Sequence, residues 1–192
     1  STYTGLAIFR SASGGAWQLS HRVEGFKEPL KKIVFDTSGN LWGVHPNKGL
    51  FRLRLNDHLT QVGEYQTFTR GEGLPTDFQL DIARIGNDLI LDAHGPPLRI
   101  SGSMNRVIFE PVSPRRQKWL PGHERQYFAI DSSGLLLQGD GKIYPLQIAL
   151  VPNFEHVVAL GPQEYLFCLE NGFALLDRNN LSGLSSPAAP GC

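Results

Sequence analysis

The chain has 192 residues, with 18 basic and 18 acidic side chains, so its formal net charge is zero. That length suits a single domain with a hydrophobic core. The balance of charge argues against a nucleic-acid-binding surface, which needs a basic excess. The longest apolar runs are too short to cross a bilayer, so we expect no direct membrane insertion.

Short β-rich segments with alternating apolar and polar residues recur along the chain, and no long segment has a helical period with caps. First strands that precede a tight turn are predicted at 30–36, 78–85, 125–131 and 155–161. Second strands begin at Asn40, Asp88, Gly134 and Glu164. Third strands begin at Gly49, Pro97, Gly141 and Gly172, with an N-terminal one at Gly5. Fourth strands are predicted at 16–23, 60–69 and 106–112.

Four strands in a repeat of about 45 residues is the period of β-propeller blades. The sequence therefore predicts an all-β fold of about four four-stranded antiparallel meanders, as part of a larger propeller. The alternative is a closed ring in which N-terminal strands complete the final blade. The predicted units are a partial blade 1–28, blades 29–77, 78–124 and 125–154, a partial blade 155–180 and a tail 181–192.

One repeat carries a recognisable motif across segments 33–53 and 65–75. Its residues are Asp36, Gly39, Asn40, Trp42, Gly49, Leu50, Phe68, Thr69, Gly73, Leu74 and Pro75. This repeat resembles that of two-component regulator propellers. The resemblance implies a periplasmic or extracellular sensory region of a bacterial membrane histidine kinase, often a hybrid kinase, or of a related transcriptional regulator. Such regions bind a signal, frequently a glycan fragment, and have no enzymatic activity of their own.

The same motif has a structural interpretation. Gly39 would supply a positive φ in the turn, Asp36 would cap it, and Trp42 would pack between adjacent blades. Alternate oxygen-bearing residues in this turn resemble a calcium loop, but the bidentate Glu of such loops is missing at the required offset. We therefore predict a plain turn, and we expect no metal and no cofactor.

Candidate ligand-binding residues come from the expected topology. In a propeller, the loops between second and third strands and the loops between blades gather on one face, where ligands bind. On this assignment the face holds His45, Lys48, His94, Trp119 and His123. A small molecule or oligosaccharide could stack on Trp119 and accept hydrogen bonds from the polar groups.

Two other classes of function stay open. A propeller-scaffold enzyme, such as a lyase or hydrolase, could use His45, His94 or His123 with a nearby carboxylate as acid and base. A lyase that opens cyclic peptide antibiotics is one propeller with similar turns. We nevertheless predict no catalytic residue, because nucleophile-elbow, phosphate-loop and zinc-helix motifs are missing from the sequence. The remaining hypothesis is a homodimer, formed because a part-propeller exposes an apolar blade face.

Two further groups of side chains have simple interpretations. Cys168 lies in an apolar run and is predicted to be buried and inert, with a disulfide to Cys192 as the alternative. Arg115, Arg116 and Lys118 follow a proline and are predicted to form a solvated loop, with an acidic partner as the alternative.

Overall fold

The structure is a computed structural model that describes residues 5–103, 106–139, 142–152 and 154–183. Within these residues the regular elements are β-strands and two short 3-10 helices, Arg70–Glu72 and Arg178–Gly183. The described part of the chain has no helix that is long and apolar enough to span a membrane.

The strands form a hairpin and four antiparallel sheets, each with its strands in sequence order. The hairpin consists of β1 (Ala7–Ser11) and β2 (Trp17–Arg22). The first sheet contains β3 (Lys32–Phe35), β4 (Leu41–Val44), β5 (Leu50–Leu55) and β6 (Val62–Phe68). The second contains β7 (Asp81–Ile85), β8 (Asp88–Asp92), β9 (Leu98–Ser103) and β10 (Arg106–Pro111). The third contains β11 (Lys118–Pro121), β12 (Tyr127–Asp131), β13 (Gly134–Gly139) and β14 (Lys142–Leu146). The fourth contains β15 (Val157–Ala159), β16 (Glu164–Leu169) and β17 (Gly172–Asp177).

The sheets are arranged as the blades of a propeller, which confirms the predicted fold class. The first strand β7 contacts both β3 and β11, the first strands of the neighbouring sheets, so the sheets radiate from these strands. The hairpin packs against the first sheet through buried apolar residues of both units. In the described residues β1 and β2 do not pair with the fourth sheet, so strand pairing there does not close a ring.

Successive side chains of the first sheet point to opposite faces, and each face belongs to a different apolar cluster. Leu41 and Leu53 are register partners and belong to the apolar cluster shared with the hairpin. Trp42 lies on the opposite face, is only 3% exposed, and belongs to the cluster shared with the second sheet. The predicted burial of Trp42 between blades is thereby confirmed. Its ring stacks on Phe68, with centroids 5.7 Å apart.

The turn between β3 and β4 is built by Asp36. Its Oδ1 accepts hydrogen bonds from the backbone amides of Ser38 and Asn40, both at 2.9 Å. Its Oδ2 accepts from the Asn40 side chain at 2.8 Å and from the Trp42 indole at 2.9 Å. Gly39 has a φ of +83°, as the turn prediction requires. Since both carboxylate oxygens of Asp36 accept hydrogen bonds from nearby residues of the chain, the segment is a turn that is stabilised by its own side chains and amides.

Two glycines occupy equivalent positions in the hairpin and in the first sheet. Gly49 has a φ of +79°, and a Cβ there would lie 2.1 Å from the carbonyl oxygen of Phe68. Gly5 has a φ of +107°, and a Cβ there would lie 2.3 Å from the carbonyl oxygen of Phe26. Both positions exclude a side chain because a backbone approaches closely. The hairpin therefore repeats the third and fourth strands of the first sheet, as the sequence alignment predicts. Gly73, with a φ of +100°, ends the first 3-10 helix.

The third sheet differs from the strand assignment made on the sequence. The sequence predicts that segment 125–131 is the first strand of its blade. In the structure this segment is β12, the second strand, because β11 pairs with it and is the first strand of the sheet. β11 also contacts β7 and β8 of the second sheet, which places it among the inner strands. The predicted boundary between residues 124 and 125 therefore falls inside the third sheet.

Two side-chain predictions need correction. Lys118 is not in a solvated loop: it opens β11, is partly buried, and contacts the carboxylates of Asp81 and Glu155. The acidic partner of this lysine is within the chain itself. Cys168 is half-buried and not fully buried, because its β-strand neighbour Phe173 lies on an open sheet face. Cys192 lies outside the described residues.

Both terminal units expose apolar side chains. On the hairpin, Phe9 and Leu19 are register partners and each is 52% exposed. On the fourth sheet, Phe173 and Leu175 alternate on β17 and are also strongly exposed. Faces of this kind are covered by a neighbouring sheet elsewhere in the molecule. The homodimer suggested by the sequence stays a prediction.

Candidate functional site

The second and third sheets meet across a polar junction, here called the polar seam, between β7–β8 and β11–β12. One buried apolar cluster joins the first and second sheets, and another joins the third and fourth. Among the described residues, none of the buried apolar clusters spans the seam. Charged groups, backbone hydrogen bonds and water-accessible clefts occupy it instead.

A chain of alternating charges runs along the inner edge of the sheets. Lys32 of β3 donates to Asp81 Oδ1 of β7 at 2.9 Å. Lys118 of β11 lies 3.7 Å from Asp81 Oδ2 and donates to Glu155 Oε2, just before β15, at 2.9 Å. Four sheets are thus connected by one line of Lys, Asp, Lys and Glu side chains.

The protonation states of this ionic chain follow from its geometry. Burial alone would raise the pKa of Asp81, but the two lysines outweigh burial and hold the pKa below its ordinary value. Burial alone would lower the pKa of Lys118, but the hydrogen bond to Glu155 and the charge of Asp81 raise it. Both groups are therefore charged at neutral pH.

The seam opens differently at the two ends of the sheets. We call one end the loop face, because the loops β4–β5, β8–β9 and β12–β13 lie there. The other end, with the connections β3–β4, β7–β8 and β11–β12, is the turn face. A backbone hydrogen bond of 2.7 Å from Gly86 N to Glu124 O joins the β7–β8 and β11–β12 connections on the turn face.

On the loop face the seam contains a cleft of about 310 Å³, here called the Lys118 cleft. Asp92 and His94 line it from the second sheet, while Arg116 and Asp131 line it from the third. The carboxylate of Asp131 accepts hydrogen bonds from Gln117 and Ser133, which lowers its pKa. Its lining is mainly charged and polar, with Ile130 as the apolar side chain, and it includes no Phe, Tyr or Trp.

On the turn face the seam contains a larger opening, here called the Trp119 cleft. Its inner part has a volume of about 470 Å³, with Trp119 and Tyr127 on the third-sheet wall and Ile85 and Ile90 on the second-sheet wall. The rings of Trp119 and Tyr127 are stacked, with centroids 4.2 Å apart and planes 27° apart. An adjoining outer part of about 540 Å³ is lined by residues 122–126 and by the β7–β8 turn.

Hydrogen bonds within the third sheet hold the Trp119 and Tyr127 rings in place. The Trp119 indole donates to Gln117 Oε1 at 3.2 Å, and the amide of Gln117 donates to Asp131 Oδ2 at 2.9 Å. Tyr127 Oη donates to Gln138 Oε1 at 2.7 Å. The polar atoms of both rings are therefore satisfied within the third sheet, so each ring presents an apolar surface to the cleft.

Two of the predicted ligand residues are held by a glutamate. His45 is buried, and its Nε2 lies 3.3 Å from Glu28 Oε2. Its Nδ1 accepts from the amide of Asn47 at 3.1 Å, so a neutral ring protonated on Nε2 satisfies both contacts. Lys48 donates to the same Glu28 carboxylate at 2.9 Å and 3.0 Å, which lowers the pKa of Glu28. These contacts fix the β4–β5 loop.

The five predicted residues do not share one face. His45 and Lys48 lie on the loop face at the first sheet, and His94 lies on the same face in the Lys118 cleft. Trp119 and His123 line the Trp119 cleft on the turn face. The expectation of one common face was wrong, because the strand Lys118–Pro121 belongs to the third sheet and reverses the direction assumed for its neighbours.

Several residues of the seam were missed on the sequence. Asp81, Tyr127 and Arg125 carry no motif, and their significance comes from contacts across sheets. One signal was available: Lys32, Asp81 and Lys118 are charged residues and each is the first residue of an inner strand. In the described residues, His, Cys, Asp and Glu side chains do not converge in groups of three or more that could hold a metal ion.

Neither a scan against protein-family models nor a search of curated proteins gave a match. Among solved structures, the chain is similar to the extracellular domain of a protein from B. thetaiotaomicron described as a one-component system. The TM-score is 0.56 at 11% sequence identity, and the match covers 90% of this chain and 28% of that one. At this identity the likeness supports the propeller fold alone.

Proposed function

We propose that the chain is a sensory, non-enzymatic ligand-binding region of a bacterial signalling protein, and that it binds an oligosaccharide in the Trp119 cleft. The observation that carries this proposal is the stacked Trp119–Tyr127 wall, which faces Ile85 and Ile90 across an open cleft with a polar rim. The polar atoms of both rings already have hydrogen-bond partners within the third sheet. The rings nevertheless stay partly exposed to the cleft, and we assign this exposed surface to a ligand.

The composition of the cleft suits a sugar. The C–H face of a pyranose packs on an aromatic ring, and its hydroxyl groups exchange hydrogen bonds with charged and amide side chains. Asp88 Oδ2 and Arg99 Nε lie 3.3 Å apart at the rim, and Asn87 lies beside them. This pair offers an acceptor and a planar set of donors to adjacent hydroxyl groups.

The catalytic alternative has less support. An acid–base mechanism needs a histidine and a carboxylate that converge on an open cavity. His45 and Glu28 are tied to Lys48 and Asn47 in a loop, and His45 is buried. His94 and Asp92 line the Lys118 cleft, but the His94 amide donates to Asp92 Oδ1 and His94 Nε2 lies 3.0 Å from the carbonyl oxygen of Gln79, so the ring is held by the backbone. His123 lies on the opposite face from His45 and His94.

Two observations support the proposed sensory role: the fold, and the position of the Trp119 cleft. The similar solved structure is an extracellular domain of a one-component system, and the resembling repeat implies a periplasmic sensor of a two-component system. The cleft lies in the junction between two apolar halves of the molecule. A ligand that bridges Trp119 and Asp88 would therefore stabilise one relative position of these halves, which is a change that a signalling protein can transmit.

The test is calorimetric titration with short neutral and acidic oligosaccharides, first on the native chain and then on Trp119→Ala. We expect binding by the native chain and loss of binding in Trp119→Ala, with the melting temperature largely retained. The matched control is Trp17→Ala on the hairpin, where the side chain is 72% exposed and distant from the seam. Oligosaccharide binding that Trp119→Ala leaves intact would contradict the assignment of the site, and no binding at all would contradict the ligand class.

A further inference from the structure

The tip of the β7–β8 turn stands between three neighbouring cavities. Asn87 lines both parts of the Trp119 cleft and a third cavity of about 440 Å³ between the first and second sheets. The three cavities therefore follow one another across the turn face, from the first sheet to the third. We call this line of cavities the Asn87 groove.

Arginine is the dominant charged residue of the groove. Five arginines line it: Arg52, Arg54, Arg84, Arg99 and Arg125. Three carboxylates line the same cavities, namely Asp36, Asp88 and Glu124. Asp36 accepts hydrogen bonds from its own turn and from Trp42, and Asp88 faces Arg99. Arg54 lies 3.8 Å from Glu64, just outside these cavities, so a small local basic excess remains in a chain whose net charge is zero.

Two of these guanidinium groups, those of Arg52 and Arg84, have partners within the chain. Arg52 is only 9% exposed, lies 5.6 Å above the ring of Trp42, and donates to Gln66 Oε1. Arg84 donates through Nε to the carbonyl of Gly86 at 3.2 Å, which fixes its plane beside the turn. Arginines fixed in this way lose little conformational entropy when they bind an anion.

We infer that the Asn87 groove binds an extended acidic oligosaccharide, one that carries carboxylate or sulfate groups. This inference rests on the proposed function, because the Trp119 cleft is one end of the groove. A sugar ring packs on Trp119, and its acidic groups meet Arg125 and Arg84 in the adjoining part. The chain then continues past Asn87 toward Arg52. Planar guanidinium groups recognise carboxylate and sulfate through paired hydrogen bonds.

The distribution of aromatic side chains favours a sugar chain over a nucleic acid. Single-stranded nucleic acids stack successive bases on successive aromatic rings. The groove has its open aromatic pair at one end only, since Trp42 at the other end is almost fully buried under Arg52. A repeating acidic sugar needs just one stacking position if its charged groups are bound along the rest of the groove.

The experiment uses the full chain and compares charged and neutral forms of one sugar. Oligogalacturonate supplies the carboxylate, its methyl ester is the neutral form, and a sulfated oligosaccharide of the same length supplies the other anion. We expect the acidic forms to bind about tenfold more tightly than the methyl ester and to weaken as salt is added. The two acidic probes then show whether carboxylate or sulfate is preferred.

Variants separate the charge contribution from the sugar contribution. The double variant Arg84→Ala with Arg125→Ala should lower the affinity for the acidic form to about that for the methyl ester, so that the preference for the acidic form is lost. Both arginines are exposed, so the fold should survive, and the melting temperature checks this. Arg10→Ala on the hairpin removes an exposed arginine outside the groove and is the matched control.

Each outcome has a distinct meaning. Equal binding of acidic and neutral forms would overturn the inference and leave the proposed function standing. Tighter binding of a single-stranded oligonucleotide of equal charge would overturn it in favour of a nucleic-acid groove. Binding of neither sugar form would overturn the inference together with the proposed function. Retention of the acidic preference in the double variant would also overturn it.

Discussion

The junction between the first and second sheets and the polar seam between the second and third have the same architecture and opposite chemistry. The first junction is filled by Trp42, Phe68 and other apolar side chains of both sheets. The seam instead contains the ionic contact between Asp81 and Lys118 and open clefts at both ends, while the Lys32–Asp81 ion pair lies at the inner edge of the first junction. The first junction therefore has an apolar core and opens in a cavity of about 440 Å³ on the turn face, whereas the seam has no apolar cluster of described residues and opens at both ends.

Two tryptophans illustrate the difference. Trp42 and Trp119 each donate an indole hydrogen bond to a neighbour in their own sheet. Trp42 is then covered by the second sheet and is almost fully buried. Trp119 is covered only by Tyr127 on one side and stays half-exposed. The first ring is therefore part of the core, and the second keeps a partly exposed surface on the cleft.

The largest expected effect is on the apolar junction. Trp42→Ala should lower the free energy of unfolding by about 3–5 kcal/mol, because it leaves a cavity between two sheets and removes a donor from Asp36. Urea unfolding monitored by circular dichroism measures this change. The exposed Trp17→Ala is the control and should change stability by less than about 0.5 kcal/mol. Similar values for both variants would contradict the distinction between core and surface.

A smaller effect is expected at the seam. Asp81→Asn removes the negative charge between Lys32 and Lys118, and it should cost about 2 kcal/mol, the range for hydrogen bonds to charged groups. The same urea experiment applies, with Asp57→Asn in an exposed turn as the control. A cost as large as that of Trp42→Ala would mean that the seam, too, is a principal source of stability.

The smallest effect is the pH dependence of that difference. The pKa of Asp81 is lowered in the folded chain, so its charge stabilises the fold at pH values above the unfolded pKa of about 3.9. This contribution is lost as the pH falls through the folded pKa. The stability difference between native chain and Asp81→Asn should therefore be constant from neutral pH to about pH 5 and shrink below about pH 4. A difference that persists unchanged in acid would exclude the ionic chain as its cause.

Much of the apolar junction could be predicted from the sequence, and little of the seam. The turn at Asp36 and the positive φ of Gly39 depend on residues close in sequence, so the local pattern specifies them. The burial of Trp42 was predicted from its place in the repeat, although the side chains that cover it come from the second sheet. The place of Trp119 depends on whether Lys118–Pro121 or segment 125–131 begins a sheet. Both segments are short and β-rich, so local propensity does not distinguish them.

The sequence by itself determined the all-β class, the repeat of about four strands, and the side chains that alternate into the core, because strand period and turn chemistry are local properties. Tertiary structure alone decided which strand of the third sheet is innermost, since that choice depends on contacts of Lys118 with Asp81 and Glu155, far away in the chain. It thereby decided that Trp119 and His123 lie on the turn face and that His94 lies on the loop face. If the strand order of a sheet is shifted by one strand, every connection of that sheet moves to the opposite end, and the local sequence pattern does not distinguish the two orders.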